Sequence, residues 1–202
     1  MGNDHTNTYI NISMIDWMQL WGQKDPQNYK KTDIECLFSV FRDNPPETML
    51  DIGCGFAWES RAMNQRFGTK LWLLDGNVSD SKPDSRDVGW QTTSNKMAFY
   101  NSLDDIDRKL KELGTKDYTL VDANNIDLPY TLKFDLIYSG ISCGFHYPAN
   151  TYQTLIEKHS HADTKIIFDL RSKIKYQDNV KIKQVLVTGV KHKKCLIEFT
   201  DS

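Results

Sequence analysis

The stretch Leu50-Asp51-Ile52-Gly53-Cys54-Gly55-Phe56-Ala57 decides the fold that we predict for this chain. The apolar run from Thr48 to Ile52 predicts a short buried strand, and two glycines one residue apart predict a tight turn into a helix. Because Gly53 and Gly55 lack a Cβ atom, the backbone can approach a ligand closely, and the helix turns its free N–H groups toward the same place. This layout is typical of a nucleotide-binding turn, although glycine turns after strands also occur for structural reasons alone.

Length and composition are typical of one α/β domain, since the chain has 202 residues of which 39% are hydrophobic. No apolar run approaches the ~18 residues of a membrane span, and the polar start lacks a signal-peptide core. We therefore expect a soluble, cytoplasmic protein. The cysteines are far apart, which predicts neither a disulfide framework nor a metal site; they are Cys36, Cys54, Cys143 and Cys195.

The net charge of -2 hides a basic carboxyl-terminal tail. Residues 171–202 contain 8 Lys and Arg against 3 Asp and Glu, whereas residues 1–170 contain 17 against 24. One interpretation is a solvated edge hairpin whose lysines prevent edge-to-edge association. The other is attraction of an anionic substrate, such as a phosphorylated sugar or a nucleic-acid backbone.

Two helices are predicted before the glycine turn. The first covers Asn11 to Trp21, and the second opens at Thr32 with a capping box completed by Glu35. We assign residues 1–46 to an N-terminal helical cap and residues 47–202 to a ligand-binding core, which together form a single domain.

Strands alternate with helices through the rest of the chain. Strands are predicted at residues 70–75, 118–123, 134–138 and 164–170, and residues 181–190 and 192–199 are predicted to form a hairpin. Helices are predicted at residues 57–67 and 150–160, and a further helix is predicted to end at residue 113. This order predicts a Rossmann-like α/β fold with a mostly parallel, seven-stranded sheet and a C-terminal antiparallel hairpin. Helices should cover both faces, and a ligand should bind at the carboxyl ends of the strands.

Asp75 ends the second predicted strand, roughly 20 residues after the glycines. In such a sheet it lies beside the glycine turn, where its carboxylate can accept hydrogen bonds from both hydroxyls of a ribose. An Asp at a strand end is also an ordinary turn former. The long polar segment of residues 77–95 that follows is expected to help form a substrate pocket, with Arg86 and Trp90 as its most usable groups.

The order of these motifs resembles the class I S-adenosylmethionine-dependent methyltransferases. The resemblance covers about residues 48–200 and rests on D-I-G-C-G-F at 51–56, the acid ending the second strand, V-D-A at 121–123 and F-D-L-I-Y-S at 134–139. A hydride-transferring Rossmann enzyme usually has G-x-G-x-x-G, whereas Trp58 stands at the third glycine position here. This departure favours a nucleoside ligand without phosphates.

The resemblance implies that S-adenosyl-L-methionine binds at the strand ends and leaves as S-adenosyl-L-homocysteine. It implies that Asp51 meets the ammonium group of the methionine end and that Asp75 holds the ribose. Asp122 would accept from the adenine amino group, and Ser139 would lie beneath the sulfonium. The other implied cofactor contacts are Gly53, Cys54, Gly55, Phe56, Gly76, Asn77 and Ala123.

Catalytic residues are expected just beyond the fourth strand. The sulfonium is already a good leaving group, so the protein must position the acceptor and, for a hydroxyl, remove a proton. The unperturbed pKa of a histidine suits a general base, which makes His146 the candidate, although a pocket wall or a helix cap is the structural alternative. Tyr147 would assist it, and Tyr138 and Arg171 would join the substrate-binding groups.

The acceptor is less clearly indicated. The run Ser139-Gly140-Ile141-Ser142 lacks the Asn/Asp-Pro-Pro-aromatic motif of DNA amino-methyltransferases, which weighs against a nucleic-acid partner. The run G-F-H-Y-P at 144–148 resembles small bacterial and phage methyltransferases related to sugars and capsules. We therefore expect O-methylation of a small polar acceptor, such as a sugar or a phosphorylated or phosphoramidated capsule glycan precursor. An RNA or protein methyltransferase and a non-catalytic cofactor-binding partner protein remain as alternatives.

Overall fold

The computed structural model describes residues 26–76, 102–172, 179–189 and 192–200, without the side chains of residues 26–30, 146 and 147. Structural statements below concern this part of the chain. Its elements are, in order, α1 (Pro26–Val40), β1 (Thr48–Ile52), α2 (Trp58–Phe67), β2 (Lys70–Asp75), α3 (Leu103–Glu112), β3 (Tyr118–Asp122), β4 (Phe134–Ser139), β5 (Ser142–Tyr147), a 3-10 turn (Ala149–Tyr152), α4 (Gln153–His159), β6 (Ser160–Arg171), β7 (Val180–Thr188) and β8 (His192–Phe199).

Seven of the described strands form one sheet in the order β3-β2-β1-β4-β6-β8-β7. The strands from β3 to β6 in this order are parallel, whereas β8 pairs antiparallel with both β6 and β7. The predicted mostly parallel sheet with an antiparallel hairpin at its end is confirmed. The chain leaves β1 toward β2 and β3 and then returns to β4 on the other side of β1, and such a switch point opens a ligand crevice at the carboxyl ends.

Helices cover both faces of the sheet because successive strand residues point to opposite sides. Met49 and Leu73 pack on one face with residues of α1, α2 and α3. Leu50 and Ile137 pack on the opposite face with Ile156 of α4. Both faces of the central strands are therefore buried under helices.

Some predicted boundaries were wrong. The second helix begins at Pro26 rather than at Thr32, so the predicted capping box lies inside α1. Proline suits a first helical turn because its φ is already helical and the missing N–H would have no partner there. β6 begins at Ser160 instead of residue 164, and β5 was not predicted as a strand.

The helix predicted at residues 11–21 and the segment of residues 77–95 lie outside the described residues. The division into a cap and a core therefore stays a prediction. None of the described helices has the length and apolar content that a bilayer crossing requires.

The basic tail contains two kinds of lysine. On β7, the edge strand, Lys181 and Lys183 are exposed, as a solvated edge hairpin requires. Lys194 lies on β8, between β6 and β7, and is 0% exposed. The interpretation of the tail as a solvated edge is therefore wrong for Lys194.

Candidate functional site

The glycine turn joins β1 to α2 through three left-handed residues, Gly53 (φ 71°), Gly55 (φ 52°) and Ala57 (φ 52°). The N–H groups of Gly53 and Cys54 both donate to the carbonyl of Leu74, at 2.8 and 3.1 Å. Glycine adopts a positive φ without the penalty that a Cβ atom brings, which explains the two glycines. Ala57, the N-cap residue of α2, makes no side-chain capping hydrogen bond, so the helix begins at this edge of the sheet without a cap from that residue.

Asp75 ends β2 directly beside this turn. Its Oδ2 accepts from the Gly55 N–H at 2.7 Å, and its Oδ1 accepts from the Gly76 N–H at 2.8 Å. Burial raises the pKa of Asp75 to about 6, although the two backbone N–H groups act in the opposite direction. A carboxylate offers about four acceptor positions, so capacity remains for hydroxyl donors of a ligand beside these two N–H groups and the Cys54 thiol.

Asp122 occupies the matching place at the end of β3. It is paired with Asp75 in the register of the two strands, and the Ala123 N–H donates to the Asp75 carbonyl at 2.8 Å. The Asp122 Oδ1 accepts from the backbone and side-chain N–H groups of Asn124 at 2.8 and 3.0 Å. This carboxylate therefore caps a turn and is half-buried at the ligand edge.

The remaining predicted residues of the turn are packed into the protein. Asp51 is 2% exposed and accepts a hydrogen bond from the Ser60 hydroxyl. The Cys54 thiol lies 3.9 Å from Asp75 Oδ2, and burial raises its pKa well above the usual value. The Phe56 ring meets the Trp58 ring edge-on at 6.5 Å between centroids. Trp58, at the third glycine position of a dinucleotide fingerprint, thus supports the wall of the turn.

Ser139 links the end of β4 to the end of β1. Its hydroxyl donates to the Ile52 carbonyl at 2.8 Å and accepts from the Cys143 N–H at 2.9 Å. Ser142 rests on the glycine turn so closely that a Cβ atom on Gly53 would overlap the Ser142 hydroxyl. The segment after β4 therefore lies directly against the glycine turn.

Several residues predicted to contact the acceptor or the cofactor lie, wholly or with their side chains, outside the described part of the structure. His146 and Tyr147 belong to β5, but their side chains lie outside the described part, and so do Asn77, Arg86 and Trp90. Arg171 is half-buried at the end of β6, with its guanidinium 5.3 Å from the centroid of the Phe145 ring. The roles of all these residues stay predictions.

Tyr138 lies inside the protein rather than at an open surface. It is 1% exposed, and its hydroxyl accepts from Lys194 Nζ at 2.6 Å. Burial, and then nearby carboxylates such as Glu59 and Asp169, raise the Tyr138 pKa well above its usual value. In this arrangement the hydroxyl that was predicted to contact a substrate bonds to a buried cation.

Lys194 belongs to a buried charge cluster that was not predicted from the sequence. Its Nζ lies 2.9 Å from Asp169 Oδ1 and 3.7 Å from Asp33 Oδ2, and all three side chains are 0% exposed. The signal was available, since a period of two places Lys194 with Leu196 on one face of a strand whose other face carries Cys195 and Ile197. Helices on both faces of the predicted sheet then require the Lys194 side chain to be buried.

Among the described residues, no group of three or more His, Cys, Asp and Glu is arranged to hold a metal ion.

No protein-family model matches the sequence, and a search of curated proteins finds no match. Solved structures do resemble it. The ribosomal protein L11 methylase of Lactobacillus delbrueckii subsp. bulgaricus is 16% identical with a TM-score of 0.56, over 87% of this chain and 80% of the other. A variant of MtNAS in complex with S-adenosylmethionine is 14% identical with a TM-score of 0.57, over 98% of this chain and 71% of the other.

A third similar structure is the precorrin-6y C5,15-methyltransferase of Geobacter metallireducens GS-15, 15% identical with a TM-score of 0.53, over 83% of this chain and 87% of the other. At this level of identity the likeness concerns the fold. The sheet order, the glycine turn after β1 and the acid that ends β2 agree with it. The chain therefore has the Rossmann-like fold of the class I methyltransferases.

Proposed function

We propose that this chain is a methyltransferase that uses S-adenosyl-L-methionine. The observation that carries the proposal is the position of Asp75, whose buried carboxylate lies at the carboxyl end of β2 and accepts from the Gly55 N–H of the glycine turn. A single nucleoside placed there meets an acceptor for its ribose hydroxyls and the backbone of the turn at once. The similar MtNAS variant, solved in complex with S-adenosylmethionine, supports the choice of nucleoside.

The residues at this edge fit such a ligand. The left-handed turn brings backbone close to the ligand, and the start of α2, where Ala57 makes no side-chain capping bond, is a favourable place for a carboxylate. Two acids end adjacent strands, with Asp75 assigned to the ribose and Asp122 to the adenine amino group. When bound, S-adenosyl-L-methionine supplies a methyl group on a positively charged sulfur, and it leaves as S-adenosyl-L-homocysteine.

The task of the protein is then to place an acceptor in line with the methyl group and to exclude water. Ser139 is assigned to the floor below the reacting sulfur, because its hydroxyl bridges β1 and β5 at that point. His146 is assigned as the base that takes the acceptor proton, with Tyr147 beside it. Asp51, held by Ser60, is assigned to the ammonium group of the cofactor.

We assign the acceptor to small polar hydroxyl compounds, namely a sugar or a phosphorylated or phosphoramidated capsule glycan precursor. Arg171 supports an anionic acceptor, since it ends β6 and its guanidinium is steadied by the Phe145 ring. The motif at residues 144–148 supports the same class. Transfer to the hydroxyl forms a C–O bond and breaks the C–S bond, and the hydroxyl proton passes to the base.

Calorimetry with S-adenosylmethionine and S-adenosylhomocysteine tests the shared premise. We expect both to bind the full chain and Asp75→Asn to weaken both by at least tenfold, since one neutral oxygen must replace a carboxylate. Asp163→Asn is the matched control, because Asp163 is exposed near the opposite end of the strands. Absence of binding to either compound would overturn the proposal.

The acceptor class has its own test. We expect S-adenosylhomocysteine to be released when the enzyme is given S-adenosylmethionine together with a panel of sugar phosphates, and His146→Ala to slow this release. Release with RNA or with a protein fraction, and none with any sugar compound, would replace the proposed acceptor. Unchanged turnover of His146→Ala from pH 6 to 9 would remove His146 as the base.

A further inference from the structure

A charged lysine lies fully inside the protein, beneath the segment that follows β4. The Lys194 network, as we call it, consists of Asp33 on α1, Tyr138 on β4, Asp169 on β6 and Lys194 on β8. Lys194 Nζ donates to the Tyr138 hydroxyl at 2.6 Å and lies 2.9 Å from Asp169 Oδ1. The network therefore ties three strands and one helix together at a single point.

Lys194 stays protonated in this position. Burial alone would lower its pKa, but the carboxylates of Asp169 and Asp33 raise it overall above the ordinary value. A buried ion pair is nevertheless a poor way to gain stability, because apolar residues of similar volume often stabilise a protein equally or better. We therefore explain the buried pair by the position in which it holds the Asp169 carboxylate.

The carboxylate that pairs with Lys194 also holds a strained residue. Asp169 Oδ2 accepts from the Ile141 N–H at 3.2 Å, and Ile141 has a left-handed backbone with φ 52°. A β-branched side chain rarely adopts this conformation, which persists only where the surroundings enforce it. The hydrogen bond from the Ile141 N–H to Asp169 stabilises this conformation.

The two sequence neighbours of Ile141 contact two different places, the Lys194 network and the glycine turn. A Cβ atom on Gly140 would lie 2.7 Å from the Tyr138 hydroxyl, so this backbone lies directly over the network. Ser142 lies against Gly53 of the glycine turn. Ile141 therefore joins a residue over the Lys194 network to a residue against the glycine turn, and its backbone conformation sets the direction of the chain between them.

We propose that Asp169, held by Lys194, is a positioning residue that fixes Ile141 in its left-handed conformation and so keeps Ser142 against the glycine turn. This inference rests on the proposed function, since it gives the strained turn the purpose of shaping the edge where cofactor and acceptor meet. It assigns Tyr138 to the support of this turn rather than to direct contact with the acceptor.

The main experiment replaces the network by apolar or neutral groups of similar size, Asp33→Asn, Asp169→Leu and Lys194→Met together, so that none of these three charges is left without the others. We expect hydrogen exchange of the Ile141 amide to accelerate at least tenfold, while amides in β1 and β2 keep their protection. Affinity for S-adenosylhomocysteine should fall about tenfold, because the edge is no longer fixed. Adding Ile141→Gly should restore most of that affinity, since glycine adopts φ 52° without help.

A merely structural role predicts a different result. Exchange would then accelerate throughout the sheet, and Ile141→Gly would rescue nothing; that pattern would overturn the inference. If the wild-type chain binds no S-adenosylhomocysteine, the proposed function fails, whereas the exchange of the Ile141 amide still decides the positioning role.

A pair of single variants keeps the inference testable if the triple variant does not fold. Ile141→Gly should have a higher thermal midpoint than Ile141→Ala, because glycine adopts φ 52° without strain and alanine does not. Both variants remove the half-buried Ile141 side chain, so their comparison separates backbone strain from the loss of packing. A midpoint of Ile141→Gly at or below that of Ile141→Ala would show that the backbone is not strained and would overturn the inference.

Discussion

Cofactor binding should weaken in mild acid because of Asp75. Burial raises the pKa of this carboxyl to about 6 in the ligand-free protein. Ribose hydroxyls are donors, so they require the ionised carboxylate as their acceptor. A ligand that selects the ionised form binds with an apparent affinity reduced by the fraction of protein in that form.

The size of the effect follows from this pKa. At pH 7 about nine molecules in ten carry the ionised carboxylate, and at pH 5 about one in ten does. The dissociation constant should therefore rise about tenfold between pH 7 and pH 5, or about 1.4 kcal/mol. Neither an exposed Asp with an ordinary pKa nor an Asp paired with a cation would titrate in this window.

Calorimetric titration of the full chain with S-adenosylhomocysteine at half-unit steps from pH 5 to pH 7.5 measures this dependence. Asp75→Asn should bind weakly with a flat profile, and Asp163→Asn should reproduce the wild-type curve. A flat wild-type profile together with weak binding by Asp75→Asn would refute the reasoning, because the side chain would then matter without its ionisation.

Three further predictions follow from the same region and from the core. Without ligand, the chain should become less stable as Asp75 ionises, because burial raises the pKa of this carboxyl from the ordinary 3.8 to about 6 in the folded state. The stabilisation is complete below the lower pKa, is lost as the pH rises through the higher one, and amounts to about 3 kcal/mol by linkage. Urea unfolding at pH 4 and pH 7 should show this loss in the wild type and not in Asp75→Asn. Gly53→Ala should cost at least ~2 kcal/mol in the same assay, since a Cβ atom would overlap the Ser142 hydroxyl at φ 71°, whereas Gly68→Ala, where nothing lies within 4 Å of the added atom, should cost less. Ile137→Ala should cost about 2–5 kcal/mol through the cavity it leaves, because Ile137 is 0% exposed in the centre of the sheet.

The features that local chemistry dictates were predicted well. β1 and β2 have the predicted bounds, and Gly68 ends α2 in the left-handed conformation, with its N–H on the Asn64 carbonyl. These elements depend on short apolar runs and on glycine, whose effects do not need the rest of the chain. The same holds for the neighbouring positions of the glycine turn and Asp75.

The features that depend on contacts between distant segments were not predicted. β5 follows β4 after a short turn in which the Ile141 N–H donates to the side chain of Asp169, 28 positions further along the chain. Lys194 resembled its exposed neighbours in composition, and it differs from Lys193 on the same strand in the face of the sheet on which it lies. Short strands next to unusual turns carry little periodic signal, and the cost of burying a lysine is visible only when its partners are known.

One ambiguity that the sequence left open concerns acids at strand ends, which can cap turns or bind ligands. Asp135 and Asp75 both accept two or more hydrogen bonds from nearby groups. For Asp135 burial is outweighed by bonds from Thr48, Glu47 and His161, and its pKa is lowered, which is the behaviour of a cap that stabilises the fold. For Asp75 burial prevails and the pKa is raised, so the charged form is disfavoured until further donors arrive. The raised pKa of a buried carboxylate beside the glycine turn supports the proposed role of Asp75 in ligand binding.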